Sequence, residues 1–304
     1  MKKMFFVYNP HSGKGLIRNH LVGILNTFTG AGYLVTAYPT QHARDAYEQV
    51  MAVEGQYDMI CCSGGDGTLN EVISAIMTYR GEKPVVGYVP AGTTNDFAGS
   101  LGIPKDMELA ARLIAEEHVF TCDLGQFNGR YFNYVAAFGL FTETSYKTPQ
   151  NVKNVLGHQA YVLEGIKSLQ DVKKYYVKVT SAERQLQGTY IYGMVANSLS
   201  IGGYRGITGE NVMMDDGLFE VALVREPRNA QEMHEIVSGL LWRQDTSMIE
   251  RFKTTEVTFE SLDPIGWTLD GENGDEHVKS TIKVNPRAIR ICAKDPGPDG
   301  SSEQ

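Results

Sequence analysis

The chain has 304 residues, of which 42% are hydrophobic, and its formal net charge is −8. This length is about twice that of an ordinary domain, so we expect two domains. The negative charge and the lack of long Lys or Arg runs argue against a nucleic acid partner, and no apolar run reaches the roughly 20 residues of a membrane-spanning helix, so we predict a cytoplasmic protein.

The first part of the chain alternates short apolar runs with segments of helical periodicity. Strands that alternate with helices predict a parallel sheet with helices on both faces, so residues 1–125 are expected to form a three-layer α/β domain. Strands are predicted at residues 4–8, 33–38, 57–62 and 85–89, and helices at residues 16–28, 44–53, 68–79 and 107–117.

From about residue 126 the pattern changes to short β-rich runs. These runs predict a second, mainly antiparallel β domain over residues 126–294, followed by a flexible tail at residues 295–304 that is rich in Gly, Pro, Ser and acidic residues. Strands are predicted at residues 131–137, 175–180, 189–197, 218–224, 255–260 and 280–284, and helices at residues 156–169 and 230–241.

Three loops that follow predicted strands are rich in Gly, Asn and Thr. They lie at residues 9–15, 64–68 and 90–96, and the carboxyl ends of parallel strands meet at one edge of a sheet. Glycines let the backbone approach a phosphate closely, and a helix that begins after the loop adds a favourable dipole. Each loop alone reads as a tight turn, but the three together predict a polyphosphate site.

Two common phosphate-binding motifs are absent from these loops. The chain has no G-x-x-x-x-G-K-[ST] sequence, which excludes an ordinary P-loop NTPase. Its two GxG pairs lack the third glycine of the dinucleotide fingerprint, because Arg18 and Asn70 stand at that position. An ordinary dinucleotide-dependent dehydrogenase is therefore excluded as well.

The loop sequences resemble those of the diacylglycerol kinase family. Residues 64–68 read GGDGT, which this family shares with sphingosine kinases, NAD kinases and phosphofructokinases. Residues 9–13 match the NPxSG element of the lipid kinase branch, and residues 92–98 match its GTxNDFA element. Further matches at residues 214–218 and 269–272 extend the resemblance over nearly the whole chain.

The resemblance implies a fold, a reaction and a nucleotide site. The fold is an α/β nucleotide-binding domain and a C-terminal β-sandwich, with the active site in the cleft between them. The reaction is transfer of the γ-phosphoryl group of ATP, with Mg²⁺, to the hydroxyl of diacylglycerol, which gives phosphatidic acid. The expected nucleotide-binding residues are Asn9, Pro10, Ser12, Gly13, Thr40, Gly64, Gly65, Asp66, Gly67, Thr68, Asn70, Glu71, Gly92, Thr93 and Asn95.

Three acidic residues carry the chemistry in this interpretation. Asp66 is the only acid of its glycine loop, so it is expected to hold Mg²⁺ against the nucleotide unless it only caps the loop. The sequence around Glu272 alone reads as a turn, but the resemblance makes Glu272 the base that takes the lipid hydroxyl proton. The resemblance also implies a structural Mg²⁺ held by Asp216 and by the carbonyls of Met213 and Leu218.

A lipid substrate implies peripheral contact with the inner face of the membrane, and a homodimer remains open. Three other functions remain open too. In the first, the chain is a lipid kinase for another acceptor, such as phosphatidylglycerol or a sphingoid base. In the second, it is an NAD kinase, whose acceptor is a ribose hydroxyl. In the third case the chain is a nucleotide-binding regulator without turnover. Both Asp66 and Glu272 are retained, which argues against a regulator.

Overall fold

The computed structural model describes residues 1–140, 173–198, 200–201, 204–205, 212–241 and 246–295. The helix predicted at residues 156–169 and nearly all of the predicted tail lie outside these ranges. The boundary predicted near residue 125 falls inside a strand, β5 (Val119–Phe127). It therefore remains a sequence-based division.

Residues 1–115 form alternating strands and helices, close to the predicted positions. The predicted strand that becomes β3 is buried at every position, as expected for a central strand covered on both faces. Helix α5 begins after Asp106, whose carboxylate accepts hydrogen bonds from the amides of Glu108 and Leu109, both at 2.9 Å. The elements are β1 (Lys2–Tyr8), α1 (Ile17–Gly30), β2 (Tyr33–Pro39), α2 (Asp45–Ala52), β3 (Met59–Gly64), α3 (Asp66–Met77), β4 (Val85–Pro90), α4 (Asp96–Ser100) and α5 (Met107–Ala115).

Four of these strands run parallel, in the order β4-β3-β1-β2. Helix α1 packs beside α5, and α2 packs beside α3. The apolar side chains of the helices and of the strands form one continuous core. The carboxyl ends of β1, β3 and β4 are adjacent, so the loops that follow them meet at one edge.

The rest of the described chain is mainly β-structure with antiparallel pairing. The strand predicted at residues 131–137 is divided in two by a turn at Asn133 and Tyr134. An aromatic core, which includes Phe138, Phe259 and Trp267, lies between the strands. Beyond β5 the elements are β6 (Arg130–Phe132), β7 (Val135–Gly139), β8 (Tyr175–Ser181), β9 (Gln185–Ala196), β10 (Ser200–Ile201), β11 (Tyr204–Arg205), β12 (Phe219–Arg225), α6 (Ala230–Leu241), β13 (Ile249–Thr254), β14 (Glu256–Leu269) and β15 (Glu272–Cys292).

Strand β15 joins the two parts of the chain. It pairs with β14 and β5 in an antiparallel manner, and near its end Ile291 pairs with Val86 of β4 in a parallel manner. The sheet therefore continues in the order β13-β12-β9-β7-β14-β15-β4-β3-β1-β2. It is larger than the predicted parallel sheet, because the parallel set β2, β1, β3 and β4 is extended by a strand from the far end of the sequence.

Candidate active site

The three glycine-rich loops meet, as the sequence predicts. The hydroxyl of Ser12, in the loop after β1, accepts a hydrogen bond from the amide of Gly65, in the loop after β3, at 3.0 Å. The amides of Ala91 and Gly92, in the loop after β4, donate to the carbonyl of Gly64 at 2.8 and 3.2 Å. Each loop is therefore bonded to the loop after β3.

Two glycines in these loops are required by the closeness of the backbones. Gly13 has a φ of +57°, and a Cβ atom there would lie 2.4 Å from the carbonyl oxygen of Ala91. A Cβ atom at Gly92 would lie 2.6 Å from the Cα of Gly65. No side chain fits at such distances, so these positions explain part of the glycine pattern of the sequence.

Asn95 shapes the loop after β4. Its side-chain oxygen accepts hydrogen bonds from the amide of Gly92 at 3.0 Å and from the hydroxyl of Tyr88 at 3.2 Å, and its side-chain nitrogen donates to the carbonyl of Gly92 at 2.8 Å. The residue is buried and adopts a left-handed φ of 55°. Its side chain therefore supports the loop after β4, and its predicted contact with the nucleotide stays a prediction.

The loops open onto a cavity of about 450 Å³. It extends from the glycine loops to the segment between β2 and α2, and Glu272 closes one side. The predicted residues that line it are Asn9, Ser12, Thr40, Gly65, Gly67, Thr68, Glu71 and Glu272. The sequence interpretation did not include His11, Gln41, His42, Ala43 and Ala46, which also line it.

The remaining predicted nucleotide-binding residues do not line this cavity, namely Pro10, Gly13, Gly64, Asp66, Asn70, Gly92, Thr93 and Asn95. Asn70 donates through its side-chain nitrogen to a carboxylate oxygen of Asp270 at 3.0 Å, so its amide is used inside the protein. Thr93 is exposed and Pro10 is half-buried, and the structure assigns neither to the wall. Nucleotide contacts by these three residues remain predictions.

Asp66 is the first residue of α3, directly after the glycine pair. Burial, together with the nearby carboxylates of Asp96 and Asp270, raises its pKa to about 6, although the amides of Asp96 and Phe97 lower it. Its Oδ1 atom is buried and has no hydrogen-bond partner among the described residues. A carboxylate crowded by other acids, with one oxygen unused, fits a ligand for Mg²⁺.

Glu272 reaches the cavity from the β-rich part of the chain. It follows a two-residue hairpin turn in which Asp270 and Gly271 have φ values of 52° and 84°, the left-handed pair that an Asp-Gly turn of type I′ requires. A Cβ atom at Gly67 would lie 3.3 Å from the Oε1 atom of Glu272. The carboxylate therefore faces the backbone of the GGDGT loop.

Glu71 fixes the segment before α2 that forms the far wall of the cavity. Its Oε1 atom accepts a hydrogen bond from the amide of Arg44 at 2.9 Å. Burial raises its pKa, and the amides of Arg44, Tyr47 and Ala46 lower it. A carboxylate at the start of a helix also interacts favourably with the helix dipole. The sequence marked Glu71 as a nucleotide-binding residue, but its position six residues after Gly65 does not indicate that it contacts the segment before α2.

Within the described ranges, one group of three metal-ligand side chains has its ligand atoms within 4.8 Å of one another, namely His42, Asp45 and Glu48. Asp45 already accepts hydrogen bonds from the amide of Gln41 at 2.6 Å and from the side chain of Gln49 at 3.2 Å. Its carboxylate therefore supports the loop before α2 and gives no independent sign of a bound ion.

The carboxylate of Asp216 is fully engaged. One oxygen accepts a hydrogen bond from the amide of Leu218 at 3.0 Å, and the other lies 3.3 Å from the ammonium of Lys253. That ammonium also lies 3.1 Å from Glu220. A lysine cation thus takes the place beside this carboxylate, so the arrangement does not fit a further cation there. The metal site with Met213 and Leu218 remains a prediction from the sequence.

Both parts of the chain match known protein families. Residues 3–127 match the diacylglycerol kinase catalytic domain, and residues 142–293 match the YegS C-terminal NAD kinase beta sandwich-like domain. A diacylglycerol kinase of Staphylococcus epidermidis is 32% identical over 297 residues, which cover 97% of this chain and 93% of the relative. A diacylglycerol kinase of Bacillus subtilis is 31% identical over 277 residues, with coverages of 90% and 91%.

Solved structures support the same fold. A crystal structure of a diacylglycerol kinase from Bacillus anthracis superposes with a TM-score of 0.77 at 21% identity, and covers 96% of this chain and 97% of that one. A second structure from that organism has a TM-score of 0.81 at 25% identity, with coverages of 96% and 95%. The likeness therefore spans both parts of the molecule.

Proposed function

The chain belongs to the diacylglycerol kinase family, and from this premise we propose that it transfers the γ-phosphoryl group of ATP to the hydroxyl of diacylglycerol, giving phosphatidic acid. It is a phosphotransferase of that family, with an alcohol as the acceptor class. One observation carries the finer proposal. Glu272, from the β-rich part, lies beside the GGDGT loop on the cavity wall, with its Oε1 atom 3.3 Å from the Cβ position of Gly67.

In this proposal the triphosphate lies against the three loops, where the amino end of α3 and the hydroxyl of Thr68 favour negative charge. Bound Mg²⁺ would neutralise charge on the transferring group, and Asp66 is the residue that would hold it. The side chains of Ser12 and Asn95 keep the loops together, so the donors are in place before the nucleotide arrives.

Glu272 is the proposed general base. Its carboxylate takes the proton of the acceptor hydroxyl as that oxygen attacks the γ-phosphorus. The bond between the γ-phosphorus and the bridging oxygen to the β-phosphate breaks, and ADP leaves with that oxygen. Glu272 is exposed on the cavity wall, so a substrate that enters the cavity can reach it.

Among the described residues, no helix is long and apolar enough to cross a membrane. The proposed acceptor lies in a bilayer, so we propose that the protein works in the cytoplasm and binds reversibly to the inner face of the membrane. Sedimentation with vesicles that contain diacylglycerol, with and without nucleotide, tests this association. If the protein stays in the supernatant both with and without nucleotide, the proposed membrane association is wrong.

The test of function is transfer of label from [γ-³²P]ATP, with Mg²⁺, to detergent-dispersed diacylglycerol, phosphatidylglycerol, a sphingoid base or NAD. Wild type should label diacylglycerol, and Glu272→Gln should lower turnover by about 10²- to 10⁴-fold with little change in nucleotide affinity. Glu276→Gln, an exposed acid on the same hairpin, is the matched control and should behave as wild type.

Labelling of other acceptors would change the proposed function. Label in NAD alone would make the chain an NAD kinase, an outcome that the name of the matching C-terminal domain keeps in view. Label in another lipid would keep the reaction class and change the acceptor. An active Glu272→Gln protein would refute the base assignment.

A further inference from the structure

Asp270 is a buried carboxylate for which the proposed chemistry has no direct use. It is 6% exposed and lies two residues before Glu272, in the turn between β14 and β15. Burial raises its pKa to about 6, although four hydrogen-bond donors lower it. A carboxylate is costly to bury, so its contacts need an explanation beyond the turn itself.

Three of its contacts hold the turn to the neighbouring strand. The carboxylate accepts hydrogen bonds from the consecutive amides of Asn133, Tyr134 and Val135 at 2.6, 2.9 and 3.1 Å. The amide of Asp270 donates in return to the carbonyl of Val135 at 2.8 Å. These bonds fix the hairpin within the β-rich part of the chain.

The fourth contact crosses to the nucleotide side. The side-chain nitrogen of Asn70 donates to Asp270 at 3.0 Å, and Asn70 lies on α3, one helical turn after Asp66. The same short helix therefore begins in the GGDGT loop and is bonded to the turn that precedes Glu272. Glu272, two residues after Asp270, in turn lies beside Gly67 in the first turn of α3.

We propose that Asp270 is a positioning residue, which holds the Glu272 carboxylate at the backbone of Gly67 by bonding the hairpin turn to Asn70 of α3. The proposal rests on the proposed function, in which Glu272 takes the acceptor proton. Asp270 itself touches no substrate. It acts through the placement of Glu272, and a base displaced by about 1 Å loses on the order of 100-fold in rate.

Asn70→Ala is the sharpest perturbation, because it removes the contact with Asp270 and leaves the three amide contacts of that carboxylate. It also removes two longer contacts, at 3.4 Å, with the carbonyl of Tyr131 and the hydroxyl of Ser74. We expect kcat for diacylglycerol to fall about tenfold or more, with KM for ATP within about twofold of wild type. A nucleotide-binding role of Asn70 would instead raise KM for ATP. Asn26→Ala, an exposed change on α1, is the matched control.

A double mutant separates positioning from a general structural role. If Asn70 and Asp270 act through Glu272, then adding Asn70→Ala to Glu272→Gln should lower kcat no further. Asp270→Asn places an amide group toward amide donors, so it should lower kcat by more than Asn70→Ala does, again without further loss in the Glu272→Gln background. Thermal melting checks that each variant remains folded, and if Asp270→Asn does not, Asn70→Ala alone still tests the proposal.

Two results would overturn the proposal alone. Wild-type kcat in Asn70→Ala, with Glu272→Gln inactive, shows that the contact does not position the base. Losses that multiply in the double mutant show that Asn70 acts independently of Glu272. In contrast, absence of lipid phosphorylation by wild type, or full activity of Glu272→Gln, refutes the proposed function, and the positioning role falls with it.

Discussion

Replacing Asp66 with Asn should stabilise the metal-free protein while it abolishes phosphoryl transfer. The pKa of Asp66 rises from 3.8 to about 6 because the carboxylate is buried beside Asp96 and Asp270. A shift of about 2 units corresponds to about 3 kcal/mol of unfavourable free energy in the ionised, folded state. Asn removes that charge and keeps an oxygen that can accept a hydrogen bond.

The sign of the pH dependence follows from the same shift. Between pH 3.8 and about 6 the folded state holds more protons than the unfolded state at this position, so stability is lost as pH rises through 6. The advantage of Asp66→Asn over wild type should be largest at pH 8 and should fall to roughly half by pH 5.

Thermal unfolding in EDTA, at pH 8 and pH 5, is the assay. We expect Asp66→Asn to melt roughly 5 °C above wild type at pH 8. Asp263→Asn, an exposed acid in the middle of β14, is the control and should melt with wild type at both pH values. A melting temperature for Asp66→Asn at or below that of wild type at pH 8 would refute the argument that this carboxylate is held under electrostatic strain.

Two further predictions concern the loops and the predicted metal. Gly13→Ala should destabilise the protein by about 1–3 kcal/mol and weaken nucleotide binding, because the new methyl group would meet the carbonyl of Ala91. Gly30→Ala, whose methyl group would meet nothing within 4 Å, is the control. Equal melting temperatures of the two variants by calorimetry would contradict this reasoning. Asp216→Ala should lower the melting temperature, because it removes the contacts of this carboxylate with the ammonium of Lys253 and the amide of Leu218. An equal loss with and without Mg²⁺ would remove the predicted structural metal, whereas a larger loss with Mg²⁺, together with a lower Mg²⁺ content, would establish it.

Local patterns predicted the alternating half of the fold well. The apolar runs of β1 and β3 and the helical spacing of α3 are properties of neighbouring residues, so the sequence alone indicates them. The glycine-rich loops were also recognisable, because Gly13 and Gly92 meet backbone atoms that leave no room for a side chain. Their meeting at one edge followed from parallel strands.

Contacts between distant residues were not predictable in the same way. The break in the strand predicted at residues 131–137 arises because Asp270 binds the amides of Asn133 and Tyr134, far away in the sequence. The cavity wall near Gln41 depends on Glu71, which holds the amide of Arg44. Periodicity does not report such pairs, since neither partner changes the hydrophobic pattern around the other.

The reach of β15 also has a consequence for biosynthesis. A ribosome releases β1 to β4 and their helices long before it releases β15, whose Ile291 pairs with Val86 on the edge of β4 that faces away from β3. Until then the nascent chain presents that edge unpaired, and an unpaired edge invites association with other strands. Completion of the nucleotide-binding side therefore waits for the end of translation, and a fragment that stops after β5 should aggregate more readily than the full chain.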